Sequence, residues 1–95
     1  TIAVLAKHHG VPFYAAAPIS TIDTKSKLSD IVIEERDPNE VRYVLGKLLI
    51  TVENVSVFNP AFDITPPDLV TGIITEQGIA TKPLTESLRK ILGLK

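Results

Sequence analysis

Residues 59–68 carry the tightest local constraint in the chain: Asn59, Pro60, Ala61, Phe62, Asp63, Ile64, Thr65, Pro66, Pro67 and Asp68 in succession. Proline fixes φ and donates no N–H, so three of them in ten residues leave few backbone paths. The apolar, partly β-branched residues 55–58 are expected to fill a buried strand, which Asn59 and Pro60 then end. Thr65 reads as a helix N-cap with Pro66 at the first helical position. Asp68, three residues beyond the cap, reaches back toward the Thr65 N–H. A strand ending where a helix begins is where ligands settle in open α/β sheets.

Upstream, Ile2, Leu5 and Ala6 fall on one helical face, and Gly10 supplies the left-handed residue that closes such a helix. Only Thr1 is available to cap its start, so the helix is expected to begin upstream. Residues 11–17 read as a strand buried on both faces, entered at Pro12 and ended by Pro18. Ser20, Thr21 and Asp23 lie in the hydroxyl-rich turn after it, a second candidate site edge. Residues 25–30 read as an exposed polar excursion and residues 31–33 as a short strand or extended segment. Asp37, Pro38 and Glu40 repeat the cap pattern and predict a short helix through Val41 and Tyr43. Residues 44–52 fit a loop with some strand, Gly46 weakening any longer element. The helix opened at Thr65 is predicted to run through Leu69, Val70, Ile73 and Ile74 to about Glu76, with Gly72 as a close-packing point and Gly78 as its left-handed end. Residues 79–81 read as extended. Leu84, Leu88, Ile91 and Leu92 mark an amphipathic last helix, with Arg89 and Lys90 near its negative end.

At 95 residues the chain is one domain at most and buries only roughly 60–65% of its unfolded surface. A hydrophobic content of 44% with 5% aromatics suits helices on a sheet better than an aromatic-rich sandwich. The chain begins at Thr1 and contains no Met, which leads us to expect a processed chain or a fragment. It has no Cys to suggest an oxidising compartment and no apolar run long enough to span a bilayer, so a cytoplasmic location is expected. Ten basic and eleven acidic residues, dispersed to a net charge of −1, argue against nucleic acid or an anionic membrane as partner. The densest run, Glu34, Glu35, Arg36 and Asp37, reads as a solvated or paired surface turn.

Five residues stand out as candidates beside a substrate: Ser20, Thr21, Asp23, Asn59 and Asp63. Asp23 either orients a substrate hydroxyl or caps its own backbone. Asn59 and Asp63 either face a ligand or hold their turn through side-chain to backbone bonds. His8 and His9 are adjacent on a helix and point about 100° apart, which suits contacts with helix-end carbonyls better than one shared metal. No nucleophile-base pair or metal cluster is in view, so the residue chemistry alone gives an α/β binding domain.

Three segments, residues 3–14, 16–23 and 33–36 with 59–66, together resemble the C-terminal part of the methylthioribose-1-phosphate isomerases. More distantly they are similar to the ribose-bisphosphate isomerases and to the regulatory subunits of the translation-initiation guanine-nucleotide exchange factor. The resemblance implies that residues 1–95 are the C-terminal portion of a single Rossmann-like isomerase domain: an open, mostly parallel α/β sheet with flanking helices. It implies a sugar-phosphate substrate, conversion of 5-methylthioribose 1-phosphate to 5-methylthioribulose 1-phosphate in methionine salvage, no metal and no cofactor. The family's catalytic Cys and the Asp of a Gly-Ala-Asp-Arg motif would lie upstream of Thr1, as would a phosphate-binding Asn-Lys pair and an Arg-Gly-Ala loop, so this chain alone is expected to be inactive. Its implied partners are the N-terminal fragment of the same protein and a second copy, as a homodimer. The bisphosphate isomerases tend to carry a basic residue where this chain has Thr21, and the neutral hydroxyl suits a thioether-bearing substrate. Residues 24–30 and 46–50 depart from the isomerase pattern. A non-catalytic regulatory subunit is the alternative from another class.

Overall fold

Local backbone chemistry accounts for most elements of the computed structural model, in which residues 1–94 are described. In chain order these are α1 (Ile2–His8), β1 (Tyr14–Ala16), α2 (Asn39–Arg42), β2 (Tyr43–Val44), β3 (Leu48–Leu49), β4 (Gly72–Thr75), β5 (Gly78–Thr81) and α3 (Leu84–Ile91), with single 3-10 turns at Ile19–Thr21, Leu28–Asp30 and Pro67–Leu69. They divide into two units, Thr1–Lys25 with residues 65–94, and Ser26–Ile64.

The first unit is a mixed α/β layer. Its sheet runs β1-β4-β5, with β1 parallel to β4 and β4 antiparallel to β5. Helix α1 ends as expected at Gly10, whose φ is +67°. The Val11 N–H donates to the Ala6 carbonyl and the Gly10 N–H to the Lys7 carbonyl, the paired bonds that satisfy a helix's last acceptors. Helix α3 ends the same way: Gly93 has φ +65°, and Leu94 and Gly93 donate to Arg89 and Lys90. Leu84, Leu88, Ile91 and Leu92 are half-buried along α3, the amphipathic face read from the sequence, and α3 packs on β5.

The largest correction falls on residues 65–76. No helix forms there; Pro66 precedes the 3-10 turn Pro67–Leu69, and the chain then enters β4. Thr71, Ile73, Ile74 and Thr75 are β-branched and Gly72 weakens a helix interior, so strand pairing wins once β1 supplies the partner. Thr71 closes that pairing: its N–H donates to the Phe13 carbonyl at 2.7 Å, while its hydroxyl accepts from the Phe13 N–H at 2.9 Å. Glu76 and Gln77 form a two-residue hairpin loop, and Gly78, expected to close a helix, opens β5 with φ +140°. Residues 79–81 are extended, as read.

Gly72 is a close-packing point, although in a strand. A Cβ there would meet the Ala80 carbonyl oxygen at 2.8 Å and the Tyr14 ring at 3.0 Å. The buried apolar side chains are correspondingly small: Ala3, Val70 and Ala80. Two burial expectations change with this. The strand at residues 11–17 shortens to three residues with only Ala15 half-buried, because it borders the described sheet on one side. On α1 the inward residues are Ala3 and Ala6, whereas Ile2 and Leu5 are exposed.

In the second unit, Asp37 starts α2 as the sequence predicts, its Oδ1 accepting the Asn39 N–H at 2.9 Å. The helix stops at Arg42, and Tyr43 passes into β2. β2 and β3 form a hairpin within the stretch read as loop with some strand; its turn holds Leu45 and Gly46 at positive φ. Residues 55–58 do not form the expected buried strand: Phe58 is 81% exposed. The pairing moves to Pro60, which bridges Glu35 in antiparallel fashion. Arg36 and Ala61 donate its bonds, to the Asn59 and Glu34 carbonyls, so a proline at the bridge leaves no donor unmet. Residues 25–33 are exposed apart from a half-buried Ile33.

Two glycine substitutions test this packing. Gly72→Ala drives a methyl into a backbone carbonyl and is expected to lower stability by about 2–3 kcal/mol, whereas Gly10→Ala meets open space and is expected to lose about 1 kcal/mol from its left-handed backbone alone. Chemical denaturation of the two variants measures the difference.

Candidate functional site

β1 and β4 run parallel, so their C-terminal ends open on the same edge, and the candidate turn leaves from it. The Ala17 N–H makes the last ladder bond, to the Ile74 carbonyl, before Pro18 ends the strand. The next amide, Ile19 N–H, donates to both carboxylate oxygens of Glu76, at 2.9 and 3.2 Å. Glu76 sits in the β4–β5 hairpin loop, 57 residues away in sequence. The sequence reading missed it; recognising the hairpin would have placed it at the same edge. A shallow groove of about 360 Å³ lies here, lined by Ala16, Ala17, Pro18, Ile74, Thr75 and Glu76.

Within the turn, the Thr21 hydroxyl donates to the Pro18 carbonyl at 2.8 Å, and the Thr21 and Ile22 amides close the 3-10 turn. Asp23 Oδ1 accepts the Lys25 N–H at 2.9 Å, the backbone-capping role that the sequence left open against substrate contact. Ser20 is exposed, and among the described residues its hydroxyl makes no hydrogen bond, which leaves it free to meet a ligand.

Asn59 and Asp63 belong to the other unit. Asn59 Nδ2 donates to the Asp37 carbonyl at 3.1 Å, and Asp63 Oδ1 accepts the Ile64 N–H at 2.8 Å. Asp63 thus braces its own turn, while Asn59 ties its segment to the Asp37 turn. Beside Asn59, Arg36 donates to Glu40 twice, at 2.8 and 3.0 Å, and approaches Glu34 at 4.0 Å, so the charged run read as a solvated or paired surface turn is paired at Arg36 and Glu34. The hydrogen bond from Arg36 holds the Glu40 carboxyl below the usual carboxylate range, and the same bond raises the Arg36 guanidinium. Arg42 donates to the Val55 carbonyl through Nη2 at 2.6 Å and Nε at 3.2 Å.

His8 and His9 stack edge to face, ring centroids 5.0 Å apart, instead of bonding helix-end carbonyls. Among the described residues no group of three or more His, Cys, Asp or Glu could hold a metal ion, and no helix is long and apolar enough to cross a membrane.

Residues 1–82 match the Initiation factor 2 subunit family. A methylthioribose-1-phosphate isomerase of Carboxydothermus hydrogenoformans is 53% identical over 96 residues, covering 100% of this chain and 28% of the relative. One from Koribacter versatilis is 55% identical over 92 residues, 96% of this chain and 26% of the relative. Among solved structures, 5-methylthioribose 1-phosphate isomerase from Pyrococcus horikoshii superimposes with a TM-score of 0.87 at 47% identity, over 97% of this chain and 26% of the other. Translation initiation factor eIF-2B subunit delta from A. fulgidus superimposes with a TM-score of 0.90 at 45% identity, over 98% and 27%. The chain thus spans about a quarter of the length of the curated relatives it matches.

Two measurements probe these contacts. Glu76→Ala removes a charged acceptor from the Ile19 amide and is expected to speed its hydrogen exchange by about tenfold or more. NMR titration should find Glu40 ionising below the ordinary carboxylate value, with Arg36→Gln restoring it. Because the folded value is the lower one, the stabilisation is present above the unfolded pKa and is lost as pH falls through the folded one.

Proposed function

This chain belongs to the Initiation factor 2 subunit family, and on that premise we propose that it is the C-terminal portion of an isomerase converting 5-methylthioribose 1-phosphate to 5-methylthioribulose 1-phosphate in methionine salvage. The observation that carries this reading is the 53% identity, over the full chain, to a relative of that name. In the whole protein the mixed sheet extends from β1 into an open, mostly parallel, Rossmann-like sheet. The side of β1 that no described strand pairs and exposed apolar residues such as Ile2, Leu5 and Val11 support such a continuation, since strand edges and apolar faces of this kind are ordinarily covered.

In this reading the residues of the β1 turn form one wall of the sugar-phosphate site. The Ser20 hydroxyl meets the substrate; Thr21, Asp23 and the Glu76 clamp on Ile19 hold the turn in place before substrate arrives, which keeps ordering cost out of binding. A Cys and an Asp elsewhere in the protein move the proton between neighbouring sugar carbons, shielded from water. The protein works in the cytoplasm as a homodimer.

A regulatory subunit of the translation-initiation exchange factor is the second reading, favoured by the 0.90 TM-score against eIF-2B subunit delta. Assay of the full-length protein on 5-methylthioribose 1-phosphate separates the two. Turnover is expected, with Ser20→Ala lowering kcat/KM by about tenfold at unchanged stability. No turnover by a protein that carries the Cys and the Gly-Ala-Asp-Arg Asp would sink this substrate. Absence of both residues from the full-length sequence would favour the regulatory subunit.

A further inference from the structure

Helix α3 does more than cover β5. Thr85, Leu88, Arg89 and Leu92 follow one another at i, i+3, i+4 and i+7, so they form a single stripe along the helix. That stripe and the turn after β1 flank an open cavity of about 420 Å³, with Ile22 and Asp23 on the opposite wall. The size falls within the range of small-molecule pockets, and the lining combines an apolar set, Ile22, Leu88, Leu92 and Leu94, with the polar Asp23, Thr24, Thr85 and Arg89.

The polar groups are unevenly committed. Asp23 accepts the Lys25 N–H and is tied into its own turn. Among the described residues, neither the Arg89 guanidinium nor the Thr85 hydroxyl has a hydrogen-bond or ion-pair partner. An unpaired guanidinium beside an apolar wall offers a planar fork of donors to an anion whose remaining body is apolar. The Asp23 carboxylate across the cavity disfavours a second negative charge on that anion.

We propose that this cavity is a binding site for a small singly charged carboxylate with a short apolar tail, its head on Arg89 and Thr85 and its tail against Ile22, Leu88 and Leu92. The inference stands apart from the isomerase reading: of the candidate substrate-site residues, only Asp23 lines this cavity.

Methyl NMR on the full-length protein tests it, with hexanoate, hexyl phosphate and hexanol as probes sharing one tail. Hexanoate is expected to shift the Ile22, Leu88 and Leu92 methyl signals saturably and to bind more tightly than either other probe. Arg89→Gln should weaken hexanoate by about tenfold or more while leaving hexanol unchanged, and Arg89→Lys should retain part of the affinity. Arg89 is exposed, so neither substitution disturbs a core. Equal binding of hexanol would show a merely apolar groove, and tighter binding of hexyl phosphate would reject the single-charge assignment. Contacts from these methyls to another segment of the polypeptide or to a second copy would show the cavity filled by protein. Each of these three results overturns the proposal; failure of isomerase turnover leaves it standing.

Discussion

The parallel pairing of β1 with β4 across Gly72 is the constraint on which the first unit depends. Tyr14 lies opposite Gly72 in the register, its ring over the space a side chain would fill, while the Ala80 carbonyl closes in from β5. The absence of a side chain on Gly72 lets the Tyr14 ring and the Ala80 carbonyl close over β4. Thr71 then locks the entry of the ladder with both its amide and its hydroxyl on Phe13. From this follow the common C-terminal edge, the departure of the Ile19–Thr21 turn from it and the position of Glu76 beside that turn.

The turns at this edge and in the second unit are built by the same device. A short polar side chain accepts or donates to backbone within a few residues: Thr21 to Pro18, Asp23 from Lys25, Asp37 from Asn39, Asp63 from Ile64. Such bonds fix loop geometry without a core beneath. They also explain why several residues that look functional in the sequence have backbone partners, whereas the Ser20 hydroxyl has none among the described residues.

Burial was the least legible property. Residues 11–17 and 55–58, and the Ile2 and Leu5 face of α1, are apolar enough to imply a core, yet they are mostly exposed, and the buried apolar residues are Ala3, Val70 and Ala80. An apolar side chain reports that something favours covering it, and carries no information on which element does so. The candidate site was legible in part for a related reason. The position of the β1 turn followed from Pro18 and the hydroxyl-rich residues after it, whereas the Glu76 clamp depends on a partner far away in sequence.

Sequence by itself determined the features governed by a few neighbouring residues. Gly10 closes α1, Asp37 and Pro38 open α2 and the Leu84, Leu88, Ile91 and Leu92 spacing makes α3 amphipathic, each through backbone conformation or local periodicity. Tertiary structure decided what residues 65–78 become. Thr65, Pro66 and Asp68 read as a helix start, and Leu69, Val70, Ile73 and Ile74 fit a helical face, but their β-branched neighbours serve a strand equally well. The choice rested on hydrogen-bonding partners at Phe13 and Ala17 on one side and the β5 strand on the other, and partners that distant in sequence are fixed only when the chain has folded.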